Sequence, residues 1–129
     1  MKNKSNGTSG TSRAGTSASM KELLKKATTE MMVLLLLRKK NMYTYEMMSE
    51  IERVSQGVLT FNTLYQAIYR LKEFNYIEEA GKQISDDNRI RIYFAITEGG
   101  KQYLLDLISE YRSIIASVDA IILQYQEKE

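Results

Sequence analysis

The stretch LTFNTLYQAIYRLKEFNYI, residues 59–77, decides how the rest of the chain is read. Leu64, Ala67, Ile68, Leu71 and Phe74 fall on one stripe at i, i+3, i+4 spacing, the signature of an amphipathic helix. The spacing predicts a helix over residues 62–74. Thr60 is suited to cap it, because a hydroxyl can accept from the orphan amides of a first turn. Asn75 is suited to end it, since Asn tolerates left-handed backbone. The opposite face carries Asn62, Thr63, Tyr65, Gln66, Tyr69 and Arg70. Amide and guanidinium groups can bond base edges and hydroxyls can reach phosphates. A merely solvated face would use the same residue types, so this helix alone leaves both readings open.

Working outward, Thr44 to Ser55 reads as a shorter helix, with Tyr45, Met48, Ile51 and Val54 as its apolar face and Gly57 as its stop. Before it, Lys21 to Lys40 contains MMVLLLL at 31–37. Seven apolar residues fall far short of the roughly 20 that span a bilayer. A helix apolar on every side is covered on every side, so this one is expected to contact more than its own domain. Arg38, Lys39 and Lys40 close it where the helix dipole favours cations, and Asn41 is the expected stop.

After the decisive stretch, Ile90, Ile92, Phe94 and Ile96 alternate with Arg91, Tyr93 and Ala95. A period of two predicts a β-hairpin over 76–96 that turns at Ser85-Asp86-Asp87-Asn88 and turns Arg89 and Arg91 outward. Thr97 then caps a long final helix. Leu104, Ile108, Tyr111, Ile115, Val118, Ile122 and Tyr125 are spaced alternately by four and three, a heptad seam. A domain this small cannot cover such a rod, so the seam calls for a second copy of the chain.

The first nineteen residues are a different object. Thirteen are Ser, Thr, Gly or Asn, too little apolar surface to offset ordering entropy, and they read as a disordered arm or an added leader. The expected division is therefore 1–19 as arm, 20–96 as a reading unit, and 97–129 as a dimerisation helix.

Composition narrows the chemistry. The 129 residues contain no His, Cys, Pro or Trp. Thiolate and imidazole nucleophiles are excluded, as are zinc sites built on them, and no disulfide can form, which suits the cytoplasm. The adjacent acids Glu78-Glu79 point to opposite faces of a strand, and Asp86-Asp87 belong to a turn, so neither pair makes a catalytic couple. No Gly-rich phosphate loop is present. The expectation is a binding protein without cofactor or metal, not an enzyme.

Helix, helix, helix, two-stranded hairpin, long helix is the order of a mostly α, α+β winged helix-turn-helix. Three segments also carry a family likeness: YTYEM at 43–47, LTFNTLYQAIYRL at 59–71 and YFAITEGG at 93–100. Together they resemble the PadR-like transcriptional regulators, in the short branch with a single C-terminal helix. The resemblance covers roughly residues 25–125. It implies a repressor, dimeric through its first and last helices, that reads a pseudo-palindromic operator in double-stranded DNA. Thr63, Leu64 and Tyr65 match the family's Thr-Leu-Tyr step, and Arg70 and Leu71 its Arg-Leu pair; Thr63 and Tyr65 are expected on DNA, Leu64 and Leu71 in the core. Thr44 and Asn75 stand where the family usually has Gly, and the wing is less basic than is common there.

The residues expected at DNA are thus Thr60, Asn62, Thr63, Tyr65, Gln66, Tyr69 and Arg70 on the helix with Arg89 and Arg91 on the wing. Those expected between two copies are Leu104, Ile108, Tyr111, Ile115, Val118 and Ile122. Some members of the branch resemble sensors of flat hydrophobic or aromatic effectors, and Tyr111, mid-seam, either fills that role or simply packs.

Charge keeps a rival alive. The formal net charge of +2 becomes −1 without residues 1–19, whose Lys2, Lys4 and Arg13 face no acid, leaving 15 cations against 16 acids. From Thr60 to Ile96, cations and acids balance, whereas phosphate-driven binding wants an excess of Lys and Arg. A winged-helix module that binds protein instead of DNA is the alternative.

Overall fold

A computed structural model describes residues 13–127. Four helices and three strands follow in the order α1 (Ser17–Lys39), β1 (Met42–Tyr43), α2 (Thr44–Val54), α3 (Tyr65–Glu73), β2 (Ile77–Ile84), β3 (Ile90–Ile96) and α4 (Glu98–Tyr125). The arrangement is a winged helix-turn-helix with a long terminal helix. One core serves all of it: Val33, Leu34 and Leu37 of α1 meet Met47, Leu64, Ile68, Leu71, Ile77, Phe94 and Leu104.

Several boundaries differ from expectation, each for a local reason. The first helix starts at Ser17 rather than Lys21, because Thr16 caps it, its hydroxyl accepting from the Ser19 amide at 3.1 Å. The expected arm therefore gives up residues 17–19 to α1, and its residues 1–12 lie outside the described ones. At its other end Lys40 is already extended, so Asn41 is not the stop. The chain instead goes directly into β1, which pairs Met42 with Phe94 and Tyr43 with Tyr93. The expected two-stranded wing thus becomes a three-stranded antiparallel sheet in the order β1-β3-β2. Two residues between helices give no periodicity to read, so β1 was invisible in the sequence.

The second helix has its ends where expected but a rotated face. Met47 and Ile51 are buried, while Tyr45 and Val54 are exposed. Gln56 and Gly57 both take left-handed backbone after it. The third helix begins at Tyr65, not residue 62, and Thr60 does not cap it. Thr63 supplies the local bond instead, its Oγ1 accepting from the Tyr65 amide at 3.0 Å. Its apolar stripe is buried as expected except Phe74, which is exposed.

The end of α3 is a Schellman motif. Asn75 is left-handed at φ 61°, its amide donates to the Lys72 carbonyl, and the Tyr76 amide reaches back to Leu71, both at 2.9 Å. Thr97 then does two things. Its hydroxyl donates to the Asn75 carbonyl at 2.7 Å and accepts from the Gly100 amide at 3.0 Å, capping α4. The exit of α3 and the entry of α4 are thereby bonded to one side chain.

The wing strands are in register from Ile77–Ile96 to Ile84–Ile90, with one extra residue between Glu79 and Gly81. Gly81, at φ 152°, accommodates that bulge without strain. Beyond Ile77, β2 is exposed along its length and carries charged residues, which protect an open sheet edge from pairing.

Twenty-eight residues give α4 a length of about 42 Å. Its seam divides into two parts. Leu104 is fully buried in the chain's own core and Ile108 packs against that core. From Tyr111 onward the apolar residues Tyr111, Ile114, Val118, Ile121 and Ile122 are exposed, with Ile115 half-buried. No helix of the described residues is long and apolar enough to cross a membrane.

Candidate nucleic-acid interface

A groove of about 710 Å³ runs between α3, the start of α2 and the wing. Its walls are formed by Thr63, Tyr65 and Tyr69 from the α3 side, Tyr43, Thr44 and Tyr45 from the β1–α2 junction, and Arg89, Ile90, Arg91 and Ile92 from the wing. Ile68 and Phe94 form apolar lining, and Lys72, Glu79 and Asp87 add charge. Four tyrosines in one groove present rings with hydroxyl tips, a surface able to stack on sugars or bases and to bond phosphate oxygens.

Five of the nine residues expected at DNA line this groove: Thr63, Tyr65, Tyr69, Arg89 and Arg91. Tyr65 and Tyr69 are 72% and 57% exposed. Gln66 is exposed on α3, and Asn62 and Thr60 lie exposed in the connection before it, outside the groove lining. Thr60 has a different attachment. Its carbonyl accepts from the Lys25 ammonium of α1, which also sits 4.8 Å from the centre of the Phe61 ring. Lys25 therefore pins the α2–α3 connection, and in the sequence it looks like one more cation of a basic helix.

Tyr43, Tyr45 and Lys72 also line the groove, although none is among the residues expected at DNA. The signal for Tyr45 lies in the adjacent Met47 and Met48: rotating the helix by one residue buries Met47 in place of Met48 and frees the tyrosine. Tyr43 is fixed by β1, where its ring meets Tyr93 edge-on at 5.3 Å. Its face carries the Arg91 guanidinium 4.7 Å from the ring centre. That contact orients Arg91 in the groove.

The cations of the reading surface are mostly matched by the protein's own acids. Lys72 donates to Glu79 at 2.9 Å, and this bond lowers the Glu79 pKa. Arg89 pairs with Asp87 at 3.3 Å. The Asp87 carboxyl is itself held below its usual range, chiefly by the Ser85 hydroxyl. Arg70 lies outside the groove and pairs with Glu30 of α1 at 3.0 Å. Among the described residues from Thr60 to Ile96, Lys82 and Arg91 are the cations without an ion pair. Within that stretch the balance of charge is realised as two pairs, Lys72–Glu79 and Arg89–Asp87, while Arg70 takes its acid from α1.

Residues 33–106 match the family described as Transcriptional regulator PadR-like. The chain belongs to that family. PadR-like proteins are DNA-binding transcriptional regulators and not enzymes, and their segment here spans α1's core half, the whole reading groove and the start of α4. The chain is also 32% identical over 89 residues, 67% of its length and 81% of the other's, to an uncharacterized protein of Lysinibacillus sphaericus. Solved structures share the fold at lower identity. A transcriptional regulator from Clostridium thermocellum superposes with a TM-score of 0.64 at 22% identity, covering 81% of this chain and 98% of that one. A PadR-like transcriptional regulator from Bacillus cereus gives 0.65 at 18% identity, over 82% and 99%.

Proposed function

We propose that the protein is a dimeric cytoplasmic repressor that reads a pseudo-palindromic operator through α3 and the wing. The observation that carries this reading is the groove, in which exposed Tyr65 and Tyr69 stand opposite Arg91. Thr63 and Gln66 join them at the entry and outer face of α3, and Arg89 at the wing. The unit up to residue 96 reads, and 97–129 dimerises. Exposed Tyr111, Ile114, Val118, Ile121 and Ile122 on α4, with Met20, Leu23 and Leu24 on α1, supply the apolar side chains that pairing would cover. A two-fold pairing of these helices sets two reading heads about 34–36 Å apart, one turn of DNA. Leu104 takes no part in that interface, since its own chain buries it.

Release of the operator by a flat hydrophobic compound belongs to the same reading, with Tyr111 of each copy at the centre of the seam. Ligand quenching of tyrosine fluorescence that persists unchanged in Tyr111→Ala removes this part alone.

Fluorescence anisotropy with a labelled duplex from upstream of the protein's own gene, against a shuffled duplex at two salt concentrations, tests the whole. Preference for the upstream duplex, weakened by salt and lost in Tyr65→Ala and Arg91→Gln with folding intact, is the expected result. Equal retention of both duplexes at every salt concentration refutes the repressor and favours the protein-binding module.

A further inference from the structure

The Glu30 carboxylate is a meeting point of three helices. One oxygen, Oε2, holds Arg70 Nε of α3 at 3.0 Å, and the other, Oε1, accepts from the Tyr103 hydroxyl of α4 at 3.3 Å. The Tyr103 ring in turn stacks on Tyr76, with centres 4.3 Å apart and planes 15° from parallel, directly after the α3 cap. Glu30 is mostly enclosed, with 20% of its side chain exposed, whereas Arg70 is 63% exposed and faces solvent. On α3, Arg70 lies one position from Tyr69, on the flank turned toward α1 and away from the groove.

We propose that Glu30 is a positioning residue for DNA reading: it keeps Arg70 off the phosphate backbone and ties the reading helix to α1 and α4. This rests on the reading above, in which α3 enters DNA. An arginine on the rim of a recognition helix would otherwise take a phosphate, because its guanidinium suits phosphate oxygens well. The acid turns that cation into a strut and trims the sequence-independent part of the affinity, leaving discrimination to the groove. The Arg70 end of the pair lies in solvent and Glu30 keeps its Tyr103 partner, so breaking the pair leaves the fold standing.

Salt titrations on a random duplex and on the upstream duplex test this with E30Q, R70Q and E30Q/R70Q. In wild type, Arg70 makes no phosphate contact, so R70Q keeps the wild-type slope of log affinity against log salt. E30Q frees Arg70 and steepens the slope by about 0.9, so a fourfold rise in salt costs about 3.5-fold more affinity than in wild type. The double variant returns to the R70Q slope, and all four proteins melt within a few degrees of one another. A flattened slope in R70Q overturns the proposal, because Arg70 would already be on phosphate. So does an unchanged slope in E30Q. A double variant as steep as E30Q also overturns it, since loss of a negative charge would then explain the gain. The random duplex separates this from the operator reading: equal binding of both duplexes by wild type refutes the operator while the slopes still decide Glu30. Wild type that retains no duplex at all refutes both.

Discussion

Two adjacent glycines, Gly99 and Gly100, should respond to alanine with opposite signs. A Cβ built on Gly100 would lie 2.1 Å from the Tyr76 carbonyl oxygen and 2.8 Å from Ile96 Cγ1. The oxygen belongs to backbone that accepts from the Thr97 amide at 3.1 Å, so it cannot simply swing aside. Forcing a methyl into such a site costs about 1–3 kcal/mol, and losing the Thr97 bond adds about 1 kcal/mol. Alanine's better helix propensity offsets about 1 kcal/mol of this. Gly100→Ala should therefore destabilise the protein by about 2 kcal/mol. The Cβ of Gly99 would meet nothing closer than 3.8 Å, and its φ is not left-handed. Gly99→Ala should gain roughly 0.4–1 kcal/mol by restricting the unfolded chain. Urea melts at one fixed protein concentration measure both, since association shifts apparent stability. With a slope of about 2 kcal/mol/M, the Gly100 midpoint falls by about 1 M while the Gly99 midpoint rises slightly. Both midpoints moving the same way would show that α4 does not start against Tyr76 as described.

Three further outcomes follow from other contacts. Burial raises the Tyr103 pKa first, and the neighbouring Glu30 adds to it. The neutral form is favoured in the fold, so the associated stability is intact below the ordinary tyrosine range and is lost as pH climbs through the raised value. Tyr103→Phe should flatten that alkaline loss, seen by circular dichroism above about pH 10; an identical alkaline profile would contradict the contact. Lys25→Met removes the bond to the Thr60 carbonyl and should cost about 1 kcal/mol in a urea melt, with DNA salt dependence unchanged. A flatter salt slope instead would make Lys25 a phosphate contact. Val118→Asp places a charge in the exposed half of the seam and should convert a dimer to monomer in sedimentation, with helix content retained. An unchanged mass would move the interface elsewhere.

What the sequence revealed and concealed divides along periodicity. Helix α3, the turn at Ser85-Asp86-Asp87-Asn88, the Asn75 stop and the Thr97 cap were legible, because stripes of apolar residues and turn chemistry are local properties. Helix α2 showed the limit. Tyr45-Met48-Ile51 and Met47-Ile51 both fit helical spacing, and only the core that Met47 joins with Leu34 and Leu64 decides which set turns inward. Strand β1 is two residues long and exists because β3 offers an edge, a tertiary cause with no sequence pattern. The charges were countable but their partners were not. Glu30 and Arg70 are forty residues apart, so nothing in either neighbourhood announced that Arg70, one of the nine residues expected at DNA, is paired on the outer flank of the helix.

The corner at Asn75, Tyr76, Thr97 and Gly100 explains how a small head and a long rod act as one body. The α3 cap leaves the Asn75 carbonyl for the Thr97 hydroxyl, and Thr97 in turn caps α4. The Tyr76 carbonyl takes the Thr97 amide, and only the missing side chain of Gly100 lets α4 approach that closely. Helices α3 and α4 thus share a joint with no spare residue in it. In a two-fold dimer the distance between the two α3 helices is then set by the crossing of the α4 rods, because the joint lets neither end slip. Beside the corner, the Tyr103–Glu30–Arg70 contacts tie α4 to α3 a second time.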